Sequence, residues 1–155
     1  MSINPEYLKQ FVNATEKAAY SASKFIGKND KISADKAAVD SMRSEFNKIN
    51  MDGKIVIGEG EMDEAPMLFI GESVGTKKGQ KLDIAVDPLE GTNFAAKNIP
   101  GAISVLAISE KGNLFNAPET YMNKIAVGKD VPFDATDLDY PIKKNISNIA
   151  DAKNK

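Results

Sequence analysis

The chain has 155 residues, 42% of them hydrophobic and 27% charged, with a formal net charge of −2. That bounds it to one globular core and gives no electrostatic reason to expect a nucleic acid or an anionic membrane as partner. It has no cysteine and no histidine, which excludes disulfides, thiol or imidazole phospho-intermediates and zinc sites built on imidazole, so any hydrolysis must rest on carboxylates, hydroxyls, lysine or a metal-activated water.

Asn4 and Pro5 form a helix start, as N-cap and first helical residue. Leu8, Phe11, Val12, Thr15, Ala18, Ala19, Ala22 and Phe25 then recur at helical spacing, and Gly27 is a stop. Ser33 is placed to cap a second helix whose inner face is Ala38, Met42, Phe46 and Ile49. Met51-Asp52-Gly53 reads as a turn into a strand over 54–57, followed by an acidic loop over 59–66 and a short helix over 67–74. Residues 75–81 form a basic connection in which Lys77, Lys78 and Lys81 read as a solvated loop or as an attraction for phosphate. Strands are expected at 82–86 and, as a buried run, at 102–109, with a hairpin turn at 110–113. Residues 114–116 and 121–127 are expected to pair, 132–139 to form a loop and 141–153 a helix. Helices first and strands afterwards predict an α+β layered domain, two helices followed by a mainly antiparallel sheet, as one domain over 1–155.

The densest chemistry lies at Asp83 to Thr92, which reads Asp-Ile-Ala-Val-Asp-Pro-Leu-Glu-Gly-Thr. Alternating Ile84 and Val86 give a strand with one apolar face; Pro88 is expected to end it, and Gly91 allows a tight turn. Asp87 and Glu90 therefore gather at a strand end, where carboxylates hold a hard cation such as Mg²⁺. Read locally, the same residues also make an ordinary turn in which Asp87 bonds nearby amides. Glu59, between Gly58 and Gly60, is either a ligand at a close backbone approach or part of a solvated acidic loop with Glu61, Asp63 and Glu64. Asp35 reads by itself as a favourable negative charge in a first helical turn. Asp83 shares a strand face with Asp87 and reads as structural or as a supporting partner.

Asp87-Pro88-Leu89-Glu90-Gly91-Thr92 resembles the metal-binding signature of the lithium-sensitive sugar and inositol phosphatases, and Glu at position 90 resembles the class II, GlpX-type fructose-1,6-bisphosphatases. The run from Ile55 to Met67 and Asn116-Ala117-Pro118-Glu119-Thr120-Tyr121-Met122 are similar to that class as well, in the same order. The resemblance implies a layered sugar-phosphatase fold, Mg²⁺ or Mn²⁺ as cofactor, a cytoplasmic enzyme and hydrolysis of the 1-phosphate of fructose 1,6-bisphosphate. It implies metal ligation by Asp35, Glu59, Asp87, Glu90 and the backbone carbonyl of Leu89. It implies catalytic roles for Asp35 and Thr92 in aligning and deprotonating the attacking water, and substrate contacts from Glu90, Gly91, Thr92, Asn93 and Tyr121. Enzymes of this class are about twice as long, so the chain is expected to represent an N-terminal half, acting in a homo-oligomer or with a complementing C-terminal half. A catalytically silent domain, or a phosphatase for an inositol phosphate or sedoheptulose bisphosphate, stands as the alternative.

Overall fold

A computed structural model describes residues 3–59, 67–115 and 122–154. The chain divides into two compact units, 1–117 and 118–155. The first holds two helices, α1 (Glu6–Ser23) and α2 (Lys31–Phe46), and a sheet of β1 (Met51–Ile57), β2 (Ser73–Val74), β3 (Gln80–Glu90) and β4 (Ile103–Glu110), with a short helix α3 (Thr92–Ala96) between β3 and β4. The sheet order is β2-β1-β3-β4. β1 pairs parallel with β3, whereas β2 with β1 and β3 with β4 are antiparallel, giving the α+β layout with helices leading and two of three pairings antiparallel.

The core lies between the helices and one sheet face. Phe11, Ala14, Ala18 and Ala22 of α1 share a buried cluster with Ala34, Ala38, Met42 and Phe46 of α2 and with Ile55, Leu82, Ile84 and Val86 of the sheet. Alanines along both helices let the backbones approach closely, and the Phe11 and Phe46 rings meet edge-on at 5.8 Å. The expected α2 face of Ala38, Met42, Phe46 and Ile49 is buried throughout. The α1 stripe is corrected in phase: Leu8 is 69% and Val12 45% exposed, and the inward row is Tyr7, Phe11, Ala14, Ala18 and Ala22. The small alanines, not the larger aliphatics, set the helix seam. At the helix starts, Asn4 Oδ1 accepts from the Glu6 amide at 3.0 Å. The cap of α2 is Asp30, which accepts from the Ser33 amide at 2.9 Å, so Ser33 is the capped residue rather than the cap.

Several expected boundaries change for physical reasons. β1 begins at Met51, because Gly53 is buried in the ladder opposite Val74 and Leu82. Residues 67–74 are not helical; they form an extended turn ending in β2, tied to β1 by the Gly71 amide to the Ile55 carbonyl at 2.8 Å and the Ile55 amide to the Glu72 carbonyl at 2.9 Å. β3 continues past Pro88 to Glu90, because the β3–β4 register skips between Asp87 and Glu90, where a residue without an N–H is tolerated. β4 is an outer strand with alternately exposed residues rather than a buried one. The turn after it is held by the Gly112 amide donating to Asp83 Oδ2, which gives buried Asp83 (5% exposed) a structural role.

In the second unit, residues 122–127 carry no strand, and α4 (Ile142–Ala152) follows a 3₁₀ turn at Phe133–Ala135. Asn148 ties the two, donating to the Ala135 carbonyl at 2.9 Å, and Asn145 holds the segment between them, accepting from the Asp137 amide at 3.0 Å and donating to the Asp137 carbonyl at 2.9 Å. Among the described residues no helix is long and apolar enough to cross a membrane.

Candidate active site

β3 sorts its residues by alternation. Leu82, Ile84 and Val86 face the helices, while Asp83, Ala85 and Asp87 face the other way. Asp87 therefore emerges half-buried at the end of the sheet, opposite Val105 of β4. Its Oδ1 accepts from the Leu89 amide at 3.0 Å, which fixes the bend through Pro88 and leaves Leu89 and Pro88 buried beneath it. Gly91 then takes the left-handed conformation at φ 82° and starts α3 with Thr92. A Cβ at Gly91 would sit 2.9 Å from the Phe94 ring, so glycine meets both a backbone and a space requirement here.

The carboxylates converge on Asp87. Its pKa is pushed from 3.8 up to about 6, first by burial and then by the hydrogen bond and negative charge of Glu90; the Leu89 amide and a hydrogen bond with Glu59 pull the other way. Glu59 reaches this point from the exit of β1, two residues beyond Ile57, which pairs with Ala85. Strand pairing thus brings together Glu59, Asp87 and Glu90, which lie up to 31 residues apart in the sequence. Their oxygens are the donor chemistry of a hard divalent cation. Among the described residues no group of three acidic side chains closes around one common point, so the cluster is linked pairwise through Asp87.

Asp35 is half-buried in the first turns of α2, whose leading loop is tied to α3 by the Gly27 amide to the Ala95 carbonyl (3.1 Å) and the Asn29 amide to the Ala96 carbonyl (2.8 Å). Thr92 is half-buried at the start of α3, and Asn93 beside it is exposed. Glu61, Asp63, Glu64 and Tyr121 lie outside the described residues. Lys77 and Lys78 are exposed on the connection into β3, and Lys81 is exposed near the start of that strand, opposite Asp52. A cavity of about 330 Å³ opens on the far side of the Gly91 turn, with Ser23, Ile26, Leu89, Phe94, Pro100 and Ile103 in its walls; no carboxylate lines it.

The pairing of Arg43 with Glu72 has no local signature in the sequence. Arg43 of α2, the one arginine among 20 basic residues, bonds Glu72 through Nε at 2.7 Å and through Nη2 at 3.1 Å, and Nη2 also donates to the Met67 carbonyl. The partners are 29 residues apart, so only the folded chain shows them as a pair.

A family model described as bacterial fructose-1,6-bisphosphatase, glpX-encoded, matches residues 5–155. The chain belongs to the GlpX-type fructose-1,6-bisphosphatase family. Within the family it is 49% identical over 146 residues to the fructose-1,6-bisphosphatase 1 class 2 of Escherichia coli K12, covering 94% of this chain and 43% of the relative. It is 52% identical over 124 residues to the D-fructose 1,6-bisphosphatase class 2/sedoheptulose 1,7-bisphosphatase of Prochlorococcus marinus AS9601, covering 80% of this chain and 37% of that relative. This GlpX-type chain therefore spans less than half the length of the curated relatives it matches.

Proposed function

We propose that this chain supplies the N-terminal, metal-holding part of a class 2 fructose-1,6-bisphosphatase. The reaction is hydrolysis of the 1-phosphate of fructose 1,6-bisphosphate to fructose 6-phosphate and phosphate, a step of gluconeogenesis. The observation that carries this reading is the gathering of Glu59 and Glu90 on Asp87, whose carboxyl pKa is raised to about 6 by burial and then by Glu90. In this reading Glu59, Asp87, Glu90 and the Leu89 carbonyl hold Mg²⁺ or Mn²⁺, with Asp35 completing the set. A divalent ion bound there polarises the phosphoryl oxygens and acidifies a water.

The chain's own groups do the rest. Asp35 accepts the proton of the attacking water and Thr92 orients it, so that a bond forms from water oxygen to phosphorus as the bond from phosphorus to the C1 oxygen breaks, the C1 oxygen taking up a proton from solvent to leave as the hydroxyl of fructose 6-phosphate. Gly91, Asn93, Glu90 and Tyr121 position the sugar phosphate. In this reading the site is completed by further chain, from a complementing C-terminal part or from a homo-oligomer. A second substrate, sedoheptulose 1,7-bisphosphate, is favoured as an alternative by the name of the Prochlorococcus relative.

A chimera tests the proposal. This chain replaces the matching N-terminal portion of the E. coli relative, and phosphate release from fructose 1,6-bisphosphate is followed with and without Mn²⁺. The expected outcome is Mn²⁺-dependent release that Asp87→Asn abolishes. Release that is insensitive to Asp87→Asn overturns the assignment.

A further inference from the structure

We infer that Arg43 and Glu72 are positioning residues for Glu59, a clamp that fixes where the Glu59 carboxylate meets the cation; this rests on the metal-holding reading above. The β1–β3 ladder ends at Ile57 opposite Ala85. Beyond it, the main chain at Glu59 is held by the strand's other neighbour, its amide donating to the Leu68 carbonyl at 3.2 Å. Whatever fixes residues 67–72 therefore fixes Glu59.

Two side chains fix that segment. Glu72 accepts from the Phe69 amide at 3.3 Å, and its two oxygens receive Arg43 Nε and Nη2. The same guanidinium reaches the Met67 carbonyl, so Arg43 holds both ends of the turn at once. The pair is largely withdrawn from water, with side chains 24% and 13% exposed. Leu68, carried between the two ends, is fully buried. A lysine has neither the fork nor the number of directed donors for this, and every other basic residue of the chain is lysine. An independent observation lies at Gly58, where a Cβ would stand 2.2 Å from the Leu68 carbonyl oxygen and 2.7 Å from Ile55 Cγ2. The β1 exit and the clamped turn thus approach more closely than any side chain at 58 permits. The route runs from α2, through the turn, to the backbone of one acidic residue, as supporting partners orient metal ligands elsewhere.

The test is calorimetric titration of the 155-residue chain with Mn²⁺, well below its unfolding temperature, on Arg43→Lys, Glu72→Gln and Gly58→Ala, each also combined with Glu59→Gln. The three single variants are expected to weaken Mn²⁺ binding about tenfold or more. In the Glu59→Gln background the same changes are expected to add less than about twofold, since the ligand they position is gone. The Glu59 amide is also expected to exchange its proton faster in Arg43→Lys. Should Arg43→Lys fail to fold, Glu72→Gln, which is nearly isosteric, carries the same cycle. Binding that matches the parent in the single variants, or that weakens equally with and without Glu59, overturns the inference and leaves a clamp that serves only the fold. If Glu59→Gln alone binds Mn²⁺ as the parent does, Glu59 is no ligand and the metal-holding reading fails together with the clamp that depends on it.

Discussion

At Asp87 the physics of a single carboxylate links fold to function. Its pKa in the folded chain, about 6, stands above the ordinary 3.8, chiefly through burial and then through Glu90. A raised pKa means that the folded state binds the proton more tightly than the unfolded one. The corresponding stabilisation is complete below the ordinary value and is lost as pH rises through about 6. With cations chelated, the chain is therefore expected to lose stability between about pH 4 and 6 by this group, and Asp87→Asn to flatten that slope; urea unfolding at a series of pH values measures it. Mn²⁺ competes with the same proton, so its affinity is expected to rise over the same window. The gathering of Asp87 and Glu90 at one turn was legible because both stand in an ordered motif with Gly91 and Thr92. Arg43 and Glu72 were not, because an ion pair across 29 residues has no period and no neighbour to announce it.

At the scale of elements, sequence patterns located both helices and the two long strands but misjudged how they end. Pro88 argued for a strand end, yet it sits where the β3–β4 register slips, so its missing N–H costs the ladder nothing. Residues 67–74 are too short for periodicity to separate helix from strand, and the decision came from hydrogen bonds to β1 that the sequence does not display. The turn after β3 depends on one backbone conformation. Gly91→Ala is expected to cost about 1–2 kcal/mol from the left-handed backbone, with more from the Phe94 ring. The shift in urea midpoint measures this, and an unchanged midpoint would mean that the turn relaxes around the new methyl.

For the whole molecule, the sheet is unevenly protected. One edge is the two-residue β2, whereas the other is the eight-residue β4, whose only charge is Glu110 at its end. Ile103, 55% exposed, and Val105 lie along it, and Ile26, Phe94 and Ile99 are exposed around the nearby cavity. An apolar outer strand of this length is a template for pairing with another chain. The isolated chain is expected to self-associate through β4, and Ala107→Lys, which puts a charge on the exposed face of the strand, to shift it toward monomer; sedimentation velocity reads the change. A monomeric parent would show that this edge is already protected. The overall α+β order was legible because two long helices precede every strand of the sheet, but the exposure of β4 was not, since an apolar run looks the same at the edge of a sheet as at its centre.

The central claim is that Glu59, Asp87 and Glu90 form the cation-holding part of a class 2 fructose-1,6-bisphosphatase. It is tested most directly by calorimetric titration of the chain with Mn²⁺ at pH 7.5, comparing the parent with Asp87→Asn and Glu90→Gln, with circular dichroism to confirm that each remains folded. The account predicts saturable binding by the parent and its loss in both variants, with the helical spectrum retained. Binding by both variants equal to that of the parent would contradict it.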